Sequence, residues 1–159
     1  MDGKCPFESS RHVDDEETYS VDVLSPLRAP ERSRLTRLRA LGTDAQLLRF
    51  RDFLLYQEQN AVVLHGAGIP VNVPTPERYA CHKLLVSQMR HAIPRSQIKA
   101  RKDLDQATAL IESLLAERLA DLADVWTEMR ARGESWRRKA DRALTRLPPD
   151  LQARFTALL

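Results

Sequence analysis

The residues best suited to chemistry fall into three groups. The first is a lone carboxylate, Asp22, set in the apolar run Val21-Asp22-Val23-Leu24. A carboxylate in such a run is costly to bury unless a cation, a hydrogen bond or a metal ion holds it; on a half-exposed strand it would simply face water. The second group lies in residues 76–90, where Tyr79, Lys83, Ser87 and Arg90 follow one another at spacings of four, four and three. On a helix these share one side, and Lys83, followed by Leu84 and Leu85, can reach into a cleft. The third group is Lys99, Lys102, Asp103 and Gln106, which share a helix face at three- and four-residue spacing. Asp103 can pair with Lys99 or with a base on a neighbouring helix; the plain alternative is surface salt bridging, worth about 0.3–0.5 kcal/mol per pair. From Arg78 to Lys102 there are seven basic residues and no acidic one. Such a window attracts phosphate, of a nucleotide or of a nucleic acid, or else forms a solvated basic helix face.

Other candidates read more simply. His65-Gly66-Ala67-Gly68 follows an apolar run, but a proline-containing strand comes next rather than the helix a phosphate loop needs, so it reads as a hairpin turn. Cys81 reads as a small buried residue and His82 as a packed or half-exposed histidine. The acidic run Asp14–Glu17 has no strand pattern around it. The sequence holds no Walker motif, His-Glu-x-x-His, Gly-x-Ser-x-Gly or paired Cys-x-x-Cys.

These groups need a frame. The sequence predicts an α+β fold, mostly helical, with a small antiparallel strand set at about 19–24, 61–65 and 69–73. A helical bundle follows at about 76–91, 97–132, 134–147 and 150–158. Thr75 and Pro76 mark the start of the first of these helices, and Glu77 sits near the positive end of its dipole. Pro94 bars its continuation, and Ser96 can cap the next. The apolar spacing from Leu104 to Met129 fits one helix or two with a break near Glu117–Asp121, and Gly133 ends it. Trp126 and Trp136 read as core or interface anchors. Residues 27–42 read mainly as loop, and Leu47, Phe50, Phe53 and Leu54 predict a further helix over 44–57. Residues 1–17 read as disordered, and 18–159 as the folded part.

Composition bounds the function. The chain has 159 residues, 43% of them hydrophobic and 30% charged, enough to bury a core. Aromatic residues make up 6%, which argues against a stacking platform for single-stranded nucleic acid. Two cysteines, Cys5 and Cys81, exclude a disulfide scaffold and suit a reducing compartment, so a cytoplasmic location is expected. Met1–Lys4 carries no apolar signal region, and Gln59–Pro76, the longest stretch without an acidic residue, lysine or arginine, is interrupted by Pro70 and Pro74. No contact with membrane is expected.

Two segments carry a resemblance. Ala61 to Arg90, with Val73-Pro-Thr-Pro-Glu-Arg-Tyr-Ala-Cys-His-Lys-Leu84 at its centre, and Lys99-Ala-Arg-Lys-Asp-Leu-Asp-Gln-Ala107 together resemble a bacterial nucleotidyltransferase-fold family of the DNA polymerase β-like superfamily. The likeness covers roughly residues 18–147. The resemblance implies metal-dependent transfer of a nucleoside monophosphate from an NTP to an acceptor, with Mg2+ bridging the phosphates. It implies that Asp22 is the third metal-holding carboxylate, that Lys83, Arg90 and Lys102 face the triphosphate, and that Asp103 and Tyr79 support them. The family's Gly-Ser and Asp-x-Asp motifs should lie upstream of Asp22, and neither is found in the twenty-one residues there. The expectation is therefore a C-terminal, nucleotidyltransferase-like portion, inactive alone, whose partners are an NTP and an acceptor, or a missing N-terminal half or partner subunit. The alternative is a noncatalytic basic helical module that binds RNA or a protein.

Overall fold

A computed structural model describes residues 11, 12, 19, 20, 23–26, 35–48, 50–91 and 93–158. The chain divides into two compact units, Met1–Asp52 and Phe53–Leu159.

In the first unit, strand β1 (Arg11–His12) pairs antiparallel with β2 (Tyr19–Ser20). A mixed three-stranded sheet has the order β3-β5-β4, with β3 spanning Leu24–Pro26, β4 Leu35–Leu38 and β5 Thr43–Leu48. β5 runs parallel to β3, with Leu24 opposite Gln46, and antiparallel to β4, with Leu38 opposite Thr43. A 3-10 turn over Arg39–Leu41, closed by Gly42 at φ 63°, joins β4 to β5.

Three expectations are corrected here. The strand expected over 19–24 is instead two: 19–20 lie in the ribbon with β1, and 24–26 in the mixed sheet. The expected loop 27–42 contains β4. Where a helix was expected over 44–57, β5 is followed by the single turn α1 (Arg51–Leu54). Pairing on both sides of β5 outweighs the helical spacing of Leu47, Phe50, Phe53 and Leu54. Phe50 and Gln57 both have positive φ, 67° and 55°. A helix through 44–57 cannot contain such residues.

In the second unit, β6 (Gln59–Val63) and β7 (Ile69–Val73) form the expected hairpin, with Ala61 opposite Val71. The Gly68 N–H donates to the His65 carbonyl at 3.0 Å, and Gly66 and Gly68 take φ of 56° and 91°. Both values suit glycine, which lacks the Cβ that disfavours this region.

The helices are α2 (Pro76–His91), α3 (Gln97–Glu117), α4 (Leu119–Ala131), α5 (Glu134–Leu144) and α6 (Pro149–Thr156). Together with the strands they make an α+β, mostly helical fold, as expected. α2 starts where the sequence places it: the Tyr79 N–H donates to the Thr75 carbonyl at 2.9 Å, with Pro76 at the first position. The region 97–132 is two helices, broken at Arg118 (φ −141°, ψ 48°). Ser96 precedes α3 but makes no capping side-chain hydrogen bond. α2 packs along α3 more extensively than any other helix pair, and α5 lies against α2 and α4. The core is dense: Cys81, Leu84, Ile111, Leu122, Met129 and Phe155 are all fully buried. Ala80, Ala100 and Ala107, also buried, leave room for α2 and α3 to approach closely. Trp126 meets Phe155 edge-on at 5.0 Å, and the half-buried Trp136 meets Phe53 at 5.9 Å. Among the described residues, no helix is long and apolar enough to cross a membrane.

Candidate functional site

α2 and α3 lie side by side, and their facing flanks carry the second and third sequence groups. The Ala100–Asp103–Ala107 face of α3 turns inward, so Asp103 is only 3% exposed. A carboxylate buried to that depth is expensive unless charged donors meet it. Two do. Lys83 Nζ donates to Asp103 Oδ1 at 2.7 Å, and the Arg90 guanidinium donates to Oδ2. Both cations come from one flank of α2, where Ser87 stands between them and is tied to its own helix by Oγ donation to the Leu84 carbonyl. The Lys83 ammonium also sits 5.3 Å from the centre of the Tyr79 ring.

The corner holds two cations for one carboxylate, and the cations are the more exposed members. Their side chains are 21% and 42% exposed, against 4% for Asp103. An ammonium has three donors and a guanidinium five. One of each is used on Asp103, so the others are available to an anion arriving from solvent. Asp103 thereby fixes the direction of two long, flexible stems before any ligand binds, which reduces the entropy lost on binding.

The structure thus brings together Lys83, Arg90, Asp103 and Tyr79. Lys102 is exposed and makes no ion pair among the described residues. Asp22 lies outside the described residues. His82 is half-buried in α2. Cys81 is fully buried, and burial, with Glu77 adding to it, pushes its thiol up to about 12.

A second polar centre was not legible in the sequence. Glu77 and Arg78, at the start of α2, are both 2% exposed. Glu77 pairs with Arg118 Nη1 at 2.9 Å, at the break between α3 and α4. Arg78 donates to Glu128 of α4 at 2.5 and 3.2 Å, to Gln57 Oε1 at 3.2 Å and to the Phe53 carbonyl at 3.4 Å. Its guanidinium also lies over the rings of Phe53 and Tyr56, at 5.1 and 4.7 Å. The Glu128 carboxyl is held below its usual range, chiefly by the Arg78 hydrogen bond, with Arg132 adding to it. Both terminal nitrogens of Arg78 are taken up by internal partners. This centre fixes the beginning of α2, and so the flank that carries Lys83 and Arg90.

Among the described residues, no group of three or more His, Cys, Asp or Glu side chains could hold a metal ion. Asp103, the one carboxylate of the corner, is already engaged by two cations. The described residues therefore do not fit Mg2+.

Comparison with known proteins supplies the class. A family model described as nucleotidyltransferase matches residues 5–131, which include both helices of the corner. The chain belongs to this nucleotidyltransferase family. No curated protein and no solved structure matches it.

Proposed function

We propose that the Lys83–Asp103–Arg90 corner grips the triphosphate of an NTP, as the substrate-holding part of a nucleotidyltransferase site. The single observation that carries this reading is a buried carboxylate holding two partly exposed cations, each with donors to spare, on the two helices that carry the family-like motifs. Arg90 suits the planar, paired acceptors of a phosphate, and Lys83 acts as a compact point charge. Asp103 positions both and touches no substrate. Tyr79 supports the Lys83 stem.

In this reading the chain by itself binds nucleotide and does not transfer it. The sequence contains no Gly-Ser with a following Asp-x-Asp, and no step is assigned to a metal on the described residues. The metal-holding carboxylates, apart from Asp22, would come from a partner segment or subunit.

The test is equilibrium binding of a fluorescent ATP analogue to the wild type, Lys83→Met and Arg90→Met. Each variant removes one charge-assisted contact, worth about 1.5–3 kcal/mol, so each Kd should rise roughly ten- to a hundredfold. Urea midpoints measured alongside separate lost binding from lost folding. A Kd that neither variant changes, in proteins that remain folded, refutes the assignment.

A further inference from the structure

We propose that the row Arg95, Lys99 and Lys102, on the turn before α3 and its first two turns, binds the acceptor, and that the acceptor is a single-stranded nucleic acid. This rests on the reading of the Lys83–Asp103–Arg90 corner as the NTP site.

All three side chains of the row are exposed, and none makes an ion pair among the described residues. Three other surface arginines hold carboxylates, Arg101 on Asp105 at 3.0 Å, Arg118 on Asp121 at 3.1 Å and Arg130 on Asp141 at 3.2 Å, while the exposed Arg142 of α5, like the row, makes no ion pair among the described residues. From Ile93 to Lys102 the sequence supplies no acid at all. Three unneutralised cations within about 10 Å of helix axis make a local positive field that an extended anion lying across them would neutralise in full. Phosphates repeated along a strand make such an anion; a single mononucleotide would occupy only part of the row.

Position connects the row to the corner. Lys99 precedes Asp103 by one helical turn, about 6 Å of rise, and Lys102 is its neighbour in sequence. A strand lying on the row is led toward Lys83 and Arg90, where an acceptor group must arrive to meet a bound triphosphate. Two isoleucines stand exposed in the same region, Ile93 at 53% and Ile98 at 89%. They offer apolar contact to a nucleoside between phosphate contacts. They do not make a membrane-binding face, because the broad apolar side of α3, with Ala107, Ile111 and Leu114, is buried in the core.

The experiment measures binding of a labelled, mixed-sequence, 20-nucleotide RNA by fluorescence anisotropy from 50 to 200 mM salt. It uses the whole chain, Arg95→Glu/Lys99→Glu and Arg95→Gln/Lys99→Gln, and each protein is also titrated with the ATP analogue. Three phosphate contacts on a single strand give a log K against log salt slope of about −2. The double variants should flatten it to about −0.7, weaken RNA binding at least tenfold and leave the ATP-analogue Kd unchanged. RNA binding that is absent, or that neither double variant alters, overturns the proposal. So does equal binding of polyglutamate, which would make the partner an acidic protein, or of phosphatidylglycerol vesicles, which would make it a membrane. If RNA binds through the row but no protein binds the ATP analogue, the corner reading has failed, and the assignment of the RNA as acceptor is overturned with it.

Discussion

Removing Glu128 should destabilise the helical unit more than removing its buried partner Arg78, although Glu128 is much the more exposed of the two. Glu128→Ala strands a guanidinium whose side chain is 2% exposed. Breaking a buried ion pair from one side costs about 3–5 kcal/mol. Arg78 would keep Gln57, the Phe53 carbonyl and two aromatic faces, so the low end, about 3 kcal/mol, applies. Arg78→Met removes the buried charge and fills most of the space with a flexible apolar chain. The carboxylate it leaves behind is 36% exposed and retains Arg132 at 2.9 Å, but the Phe53 carbonyl and Gln57 Oε1 each lose a donor, so the loss should be about 2 kcal/mol. The assay is urea unfolding followed by tryptophan fluorescence. The chain has two tryptophans, Trp126 and Trp136, and both lie in the second unit, so the signal reports that unit. At unchanged m, the midpoint for Glu128→Ala should fall about one and a half times as far as that for Arg78→Met. Equal shifts, or a larger shift for Arg78→Met, would refute the argument that the stranded charge sets the cost.

The same centre sets an acid limit. Because the folded Glu128 carboxyl lies below its ordinary value of 4.5, its contribution is complete above that value and is lost as pH falls through the lower folded one. Unfolding midpoints between pH 5 and pH 2.5 should therefore drop less steeply in Glu128→Gln than in the wild type; parallel profiles would contradict this. In a Cys5→Ser background, Cys81, buried and pushed up to about 12, should resist a maleimide at pH 8 until urea unfolds the chain, and labelling within minutes of the native protein would show that the thiol is accessible. Gly68→Ala should destabilise the hairpin by about 1 kcal/mol. Its φ is 91° and an added Cβ would meet Val62 Cγ1 at 3.0 Å; an unchanged thermal midpoint would contradict that strain.

Local signals in the sequence marked what local forces decide. Thr75-Pro76 fixed the start of α2, Gly66 and Gly68 the hairpin turn, and the apolar spacing left room for the break that falls at Arg118. The flank of α2 with Tyr79, Lys83 and Arg90 was legible from its three- and four-residue spacing, and Asp103 as a partner of a base on the neighbouring helix was one of the open readings. What was not legible depends on partners far along the chain. Residues 44–57 carry helical spacing, yet 43–48 form a strand because β3 and β4 pair with it. Arg78 counted as one more cation of a basic window, whereas its partner Glu128 lies fifty residues away. Glu77 looked like a residue favouring the helix dipole, and only the meeting of α2 with the α3–α4 break reveals it as a buried partner of Arg118. Lys102 shares the sequence signature of the corner, but its side chain is exposed to solvent.

The most direct test of the phosphate-gripping corner is a competition series against the bound ATP analogue, using ATP, ADP, AMP, adenosine and inorganic tripolyphosphate on the wild-type chain. If Lys83 and Arg90 hold phosphates and the base contributes little, tripolyphosphate should compete nearly as well as ATP. ADP should be weaker, AMP weaker still, and adenosine should not compete. Adenosine or AMP competing as well as ATP would contradict the account, since binding would then rest on the nucleoside and not on the two cations that Asp103 holds in place.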